Sequence, residues 1–139
     1  MFFRRSVIAA VPVLLAGCSI HGGGSEQLLD EEIHLSSGEY RAFEFEIQTE
    51  RSVSFGFRGD GETNLDIFFL PHNEFAAYER GDEFEYRYTS GLDVAGGFTE
   101  DENVDPGSYV VVFDNTDRGE AVPSQPVSGR VEVTVEPTS

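Results

Sequence analysis

The stretch Tyr40-Arg41-Ala42-Phe43-Glu44-Phe45-Glu46-Ile47-Gln48 decides the fold class. Successive side chains of an extended strand point to opposite faces, so Phe43, Phe45 and Ile47 share one side while Glu44 and Glu46 share the other. That period of two marks a strand half-buried against a core. Outward from it the pattern recurs in Ser52-Val53-Ser54-Phe55-Gly56-Phe57-Arg58 and again in Glu83-Phe84-Glu85-Tyr86-Arg87-Tyr88. Leu65 to Leu70 and Ser108 to Phe113 are nearly continuous apolar runs, the pattern of central strands whose outer face is also packed. Arg130 to Val135 closes the set, Glu31 to Leu35 opens it, and Leu92 to Phe98 is a weaker strand broken by Gly96-Gly97.

Between these runs lie turn chemistries: Ser37-Gly38, Gly59-Asp60-Gly61, Arg80-Gly81-Asp82 and Asp105-Pro106-Gly107. Glycine supplies a positive φ and proline a fixed one, which chain reversals require. No stretch sustains an apolar period of three to four residues, and Asn73 to Tyr78 is expected to form one helical turn at most. The expected fold is all-β, an antiparallel β-sandwich of jelly-roll type with about seven to eight strands, in a single domain over residues 28–139.

The chain has 139 residues with 26 Asp+Glu against 9 Lys+Arg, a formal net charge of −17. Every basic residue is Arg, and every acid lies beyond residue 18. A body this acidic has no basic stripe with which to displace counterions, which excludes nucleic acid as a partner. The single Cys excludes an internal disulfide and a zinc site built from cysteines. Such charge density repels itself strongly in dilute salt, where screening reaches about 30 Å, and weakly in brine, where it shrinks to about 3 Å. The acidic, Lys-free composition resembles that of proteins from salt-loving microbes, most of them archaeal.

Residues 1–17 read as an export signal rather than a domain element. Arg4 and Arg5 give a basic start, and Val7 to Gly17 is uncharged but shorter than the roughly 20 residues that span a bilayer. Arg4-Arg5 ahead of Val7-Ile8 resembles a twin-arginine export signal; an ordinary secretory signal with two arginines in its basic region is the alternative. Leu15-Ala16-Gly17-Cys18 resembles the lipobox of prokaryotic lipoproteins. That resemblance implies that Cys18 is lipidated, that the signal is cut before it, and that the protein is held at the outer face of the cell membrane. Residues 18–27, rich in Gly and Ser, are expected to act as a flexible tether.

A further resemblance rests on Ser36 to Phe45, on Leu65 to Leu70, and above all on Pro106-Gly107-Ser108-Tyr109-Val110-Val111-Val112-Phe113-Asp114-Asn115. These stretches resemble the GOLD (Golgi dynamics) β-sandwich and, less closely, the bacterial pre-peptidase C-terminal domain, over residues 30 to 137. The G-x-Y-x-x-x-F-D-N segment is similar to the penultimate strand of GOLD domains, with Thr116 to Gly129 as the following loop and Arg130 to Val135 as the last strand. The resemblance implies a noncatalytic module that makes protein or lipid contacts.

The search for chemistry yields little. His21, His34 and His72 are far apart, and no HExxH, CxxC or Gly-x-Ser-x-Gly motif occurs. Asp60, Glu62, Asn64 and Asp66, and separately Glu100, Asp101, Glu102, Asn103 and Asp105, could supply the hard oxygens calcium prefers, or could simply solvate an acidic surface. Tyr78, Tyr86 and Tyr88 could stack on a sugar or pack in the core. No catalytic residue and no cofactor is expected. The expected role is a membrane-anchored interaction or accessory module with a protein partner; the alternatives are a carbohydrate- or calcium-binding module and an enzyme whose site carries no known motif.

Overall fold

The computed structural model describes residues 19–20, 24–60 and 64–138. Its strands are β1 (Ser19–Ile20), β2 (Glu26–Leu35), β3 (Glu39–Ile47), β4 (Arg51–Gly59), β5 (Asn64–Pro71), β6 (Gly91–Ala95), β7 (Gly97–Val104), β8 (Gly107–Asn115) and β9 (Val127–Glu136), with one helix, α1 (His72–Arg80), between β5 and β6. They form two sheets, ordered β1-β3-β8-β5-β6 and β2-β9-β4-β7. All pairings are antiparallel except that of β1 with β3. The fold is therefore the antiparallel β-sandwich expected from the strand pattern.

The inward residues of both sheets make one core. Phe43, Phe45 and Ile47 enter it from β3 as their alternation requires, Val53, Phe55 and Phe57 from β4, and Val131, Val133 and Val135 from β9. At its centre Phe69 lies 5.1 Å from Phe55, 6.3 Å from Phe45 and 5.6 Å from Tyr109, ring centre to ring centre. Burying each such ring is worth about 1.5–3 kcal/mol before any ring-pairing gain.

The two apolar runs are explained by a second packed layer. Phe68 and Leu70 of β5, Val110 and Val112 of β8 and Ala42 of β3 point to the outer face of their sheet, where Phe75 and Tyr78 of α1 cover them. Here the structure departs from the sequence reading. A helix of 9 residues runs through His72–Arg80, longer than the single turn expected, yet only Phe75 and Tyr78 are buried. A contact stripe of two residues three apart leaves no sustained period to read. Gly81 ends the helix in the left-handed region, φ 81°, donating to the carbonyls of the last turn as C-terminal glycines do.

Residues 83–88, expected as a strand, join neither sheet among the described residues. Their alternation is real, but it reflects a cover laid over the layer: Phe84 meets Phe68 at 5.0 Å and Tyr78 at 5.3 Å, while Tyr88 is 85% exposed. Conversely, Glu100 to Val104, grouped with Asp105 as a carboxylate loop, belongs to β7 and pairs with β4 from Arg51↔Val104 to Arg58↔Gly97. The strand had no clean apolar alternation because one of its inward positions is Glu102, 5% exposed. That carboxylate accepts from Thr89 Oγ1 at 2.7 Å and is ion-paired to Arg87, whose guanidinium carbon sits 5.7 Å from the Tyr109 ring centre and 5.8 Å from that of Phe69. The pair ties the run after α1 to β7.

At the other side β2 begins at Glu26, two residues before the expected domain start, and Ser19–Ile20 lie parallel to Glu46–Ile47 of β3. The Arg51 guanidinium, almost fully buried, donates to the carbonyl of Gly24 and at 3.1 Å to that of Glu136. Part of the segment expected to be a free tether is thus held along the sandwich.

Candidate functional site

Arg4, Arg5, Leu15, Ala16, Gly17 and Cys18, which carry the export and lipidation reading, lie outside the described residues, as does His21. The other two histidines do not converge. His34 on β2 is exposed, with Nδ1 2.6 Å from Ser128 Oγ, and His72 at the start of α1 is exposed with Nε2 3.1 Å from Glu44 Oε1. They stand on the outer faces of different sheets.

The carboxylate groups also separate. In the first, Glu62 lies outside the described residues, Asp60 is exposed, and the Asn64 amide donates to Asp93 at 2.8 Å. Asp66 is fully buried, and its Oδ1 accepts the backbone N–H of Asp93 at 2.8 Å, Ala121 at 3.1 Å and Glu120 at 3.2 Å. Asp93 takes a left-handed φ of 55° at the β5–β6 bulge, where it presents that N–H. Asp66 is therefore an anchor for the loop after β8 and for β6. In the second, Asp101 and Asn103 face solvent while Glu102 faces inward. Among the described residues, no three His, Cys, Asp or Glu side chains gather as metal ligands.

What the outer layer does bring together is a polar cluster that sequence reasoning left undivided. Asp114 stands directly opposite Asp66 across the β8–β5 ladder. Its Oδ2 accepts from the Tyr78 hydroxyl, and its Oδ1 accepts Thr116 N and Oγ1, each at 2.7 Å. Burial raises its carboxyl to about 6, against the pull of these hydrogen bonds, and the Asp66 charge adds to the rise. Burial also pushes the Tyr78 phenol well above its ordinary value, with the Asp114 charge acting in the same direction. A perturbed acid under a cleft is a common mark of function. Here both carboxylate oxygens are engaged in holding α1 and the 116 turn, and the facing acid, Asp66, is itself taken up by backbone N–H groups.

Above this cluster Arg118 lies over Phe84, its guanidinium carbon 4.9 Å from the ring centre, and donates to the Asp82 carbonyl at 2.6 Å. Between residues 81–86 and 118–120 a shallow cleft of about 460 Å³ opens, lined by Phe84, Tyr86, Leu92, Arg118, Asp82 and Glu120. Of the three tyrosines considered for stacking, Tyr78 is core, Tyr86 is 44% exposed in this cleft, and Tyr88 projects elsewhere.

The G-x-Y-x-x-x-F-D-N segment is a fold signature by its contacts. Tyr109 donates its hydroxyl back to the Asp105 carbonyl at 2.6 Å, pinning the turn before β8 much as tyrosine corners do. Phe113 is core, Asp114 fixes Tyr78 and the following turn, and Asn115 Nδ2 donates to the carbonyls of Gln125 at 2.9 Å and Leu35 at 3.2 Å.

No family model matches the chain, and no curated protein matches it. Among solved structures it is similar to the pre-peptidase C-terminal domain of collagenase from Bacillus anthracis, with a TM-score of 0.52 at 13% identity, covering 85% of this chain and 94% of that one. That likeness is one of fold. It falls on the second of the two sandwich families that the sequence resembles.

Proposed function

We propose that this protein is a lipid-anchored, extracytoplasmic β-sandwich that acts as a noncatalytic interaction or accessory module at the cell membrane. The observation that carries the reading is the lipobox-like Leu15-Ala16-Gly17-Cys18, which holds the only Cys of the chain at the end of an export-type segment. The contacts of Asp66, Asp114, His34 and His72 support the noncatalytic part, since the two acids are engaged in the scaffold and each exposed histidine meets a single side chain, Ser128 or Glu44. Two lipid chains on Cys18 would hold the protein firmly, at about 0.8 kcal/mol per buried methylene. The test is Cys18→Ser followed by membrane fractionation. The variant is expected in the medium or as an uncut precursor, and unchanged membrane association overturns the reading.

One observation favours a second reading, a carbohydrate-binding module: half-exposed Tyr86 beside Arg118, Asp82 and Glu120 offers a stacking face next to polar groups that could meet hydroxyls. A thermal-shift titration with neutral oligosaccharides in molar salt separates the two, because a specific ligand raises the melting midpoint.

A further inference from the structure

The outer face of the β2-β9-β4-β7 sheet carries a recess of about 260 Å³ over Gly56 and Gly97. Val53, Phe55 and Phe57 of β4, Val131, Val133 and Val135 of β9 and Phe98 of β7 pack into the core, so the residues between them stand on this outer side. The ladders set Glu132 and Thr99 on either side of Gly56, Thr134 beside Ser54, and Gly97 beside Arg58. The floor is therefore bare glycine backbone. Around it stand the hydroxyls of Ser54, Thr99 and Thr134, one carboxylate, Glu132, and one guanidinium, Arg58.

A glycine in a paired strand gives up packing and costs chain entropy, and it marks a bulge, a bend, or the close approach of a backbone or a ligand. Gly56 is explained by a backbone: a Cβ there would stand 2.9 Å from the Phe98 carbonyl oxygen. Gly97 has no such explanation. A Cβ on it would meet nothing within 4 Å, and the left-handed bend before it is made by Gly96, φ 69°. The chain thus keeps open a space that packing would let a side chain fill, and that space belongs to the recess.

We infer that this recess binds one neutral sugar ring. It is smaller than the roughly 300–1,000 Å³ of pockets for larger ligands, so it admits a single ring rather than a chain of them. On a body of net charge −17 its rim is balanced, one Arg against one Glu, and selects neither an anion nor a cation. Arg58 and Glu132 approach to 3.6 Å, too far for a hydrogen bond, so the pair does not use up the donors of one or the acceptors of the other. A sugar hydroxyl both donates and accepts: it can give to Glu132, take from Arg58, and do either with Ser54, Thr99 and Thr134. Molar salt screens charge attraction to about 3 Å and leaves such hydrogen bonds in force. With the Phe55 and Phe57 rings turned into the core, the C–H face of the sugar rests on glycine Cα atoms. The recess lies on the opposite face of the sandwich from the Tyr86 cleft, and it does not depend on the lipidation reading.

The full chain, labelled with nitrogen-15, is titrated in detergent micelles and molar sodium chloride with glucose, galactose and mannose in turn, and with glucosamine and glucuronate as charged analogues. Amide shifts in NMR read both affinity and place. At least one neutral sugar is expected to move the Gly56, Gly97 and Thr99 amides saturably, more tightly than either charged analogue. Gly97→Val puts a side chain into the recess and should abolish these shifts, while the melting midpoint holds or rises because a β-branched residue suits a strand. Thr134→Val removes one hydroxyl at constant shape and should weaken binding about fivefold; it decides the matter alone if the first variant does not fold. Tyr86→Ala should change nothing. No saturable shift at these amides with any of the three sugars, undiminished binding in either recess variant, or tighter binding of a charged analogue overturns the inference. Shifts around Tyr86 that vanish in Tyr86→Ala also overturn it, and put the sugar in the other cleft.

Discussion

The core between the sheets and the layer on the outer face of the β3-β8-β5-β6 sheet use the same kinds of side chain and are closed by different means. Phe69 and Phe68 are neighbours in β5, both fully buried, and point into one region each. Around Phe69, two hydrogen-bonded sheets hold Phe45, Phe55 and Tyr109 in place. Around Phe68, the lid is one short helix and the irregular run 82–87, held by Phe75, Tyr78 and Phe84 and by hydrogen bonds to Asp114, Glu74 and the Asp82 carbonyl. The same apolar chemistry is thus enclosed by backbone ladders in one region and mainly by side chains in the other.

Withdrawing salt sharpens that contrast most. Residues 72–90 carry Glu74, Glu79, Asp82, Glu83 and Glu85 against Arg80 and Arg87, on a chain of net charge −17. As the screening length grows, repulsion is expected to unfold the whole domain, and to release this lid first because it has the fewest backbone bonds to resist. Near-ultraviolet circular dichroism, to which Tyr78 and Tyr86 contribute, should fade at higher salt than the far-ultraviolet β signal. Coincident loss makes the molecule one cooperative unit, and indifference to salt from molar to millimolar removes the repulsion argument altogether.

Truncating the two neighbouring rings comes next. Phe69→Ala is expected to lose about 4–5 kcal/mol in denaturant unfolding at high salt, because the two sheets cannot close on the void. Phe68→Ala should lose about 3 kcal/mol, since the lid can settle toward the gap. Equal losses would mean that the outer layer is as stiff as the inner core.

The contrast also explains which parts of the molecule were legible in its sequence. Strands facing the inner core announce themselves, as Phe43-Glu44-Phe45-Glu46-Ile47 does, because one face is wholly apolar and the other wet. The continuous run Leu65 to Leu70 announced a covered outer face, but nothing in it said what covers it. The lid itself was opaque for local reasons: α1 buries two residues, and Phe84-Glu85-Tyr86-Arg87-Tyr88 alternates without pairing. Strand β7 was hidden because Glu102, inward and ion-paired, looks like a solvated acid. Asp66 and Asp114 were likewise indistinguishable from the surface carboxylates around them, since Asp66 is enclosed by residues 93, 120 and 121 and Asp114 by Tyr78, all distant in sequence. The lipobox-like segment needed no folding to be read; its meaning lies in order rather than in contact.

Asp114 tests how tightly the lid is closed. Its carboxyl is raised to about 6 in the folded protein, chiefly by burial, against an unfolded value of about 3.9. A raised acid binds protons more tightly when folded, so its stabilising contribution is present below the unfolded value and is lost as pH climbs from about 4 to 6. Two units correspond to an upper bound of about 3 kcal/mol. Asp114→Asn deletes that titration while keeping one acceptor for the Tyr78 hydroxyl, and its amide meets the Thr116 N–H donor at a cost that does not depend on pH. The slope is therefore the readout rather than the level: relative to wild type, the variant should gain about 2 kcal/mol between pH 4 and pH 7. A difference that stays flat across this range would mean that water reaches Asp114 through the lid, and that the outer layer stands open where the geometry draws it shut.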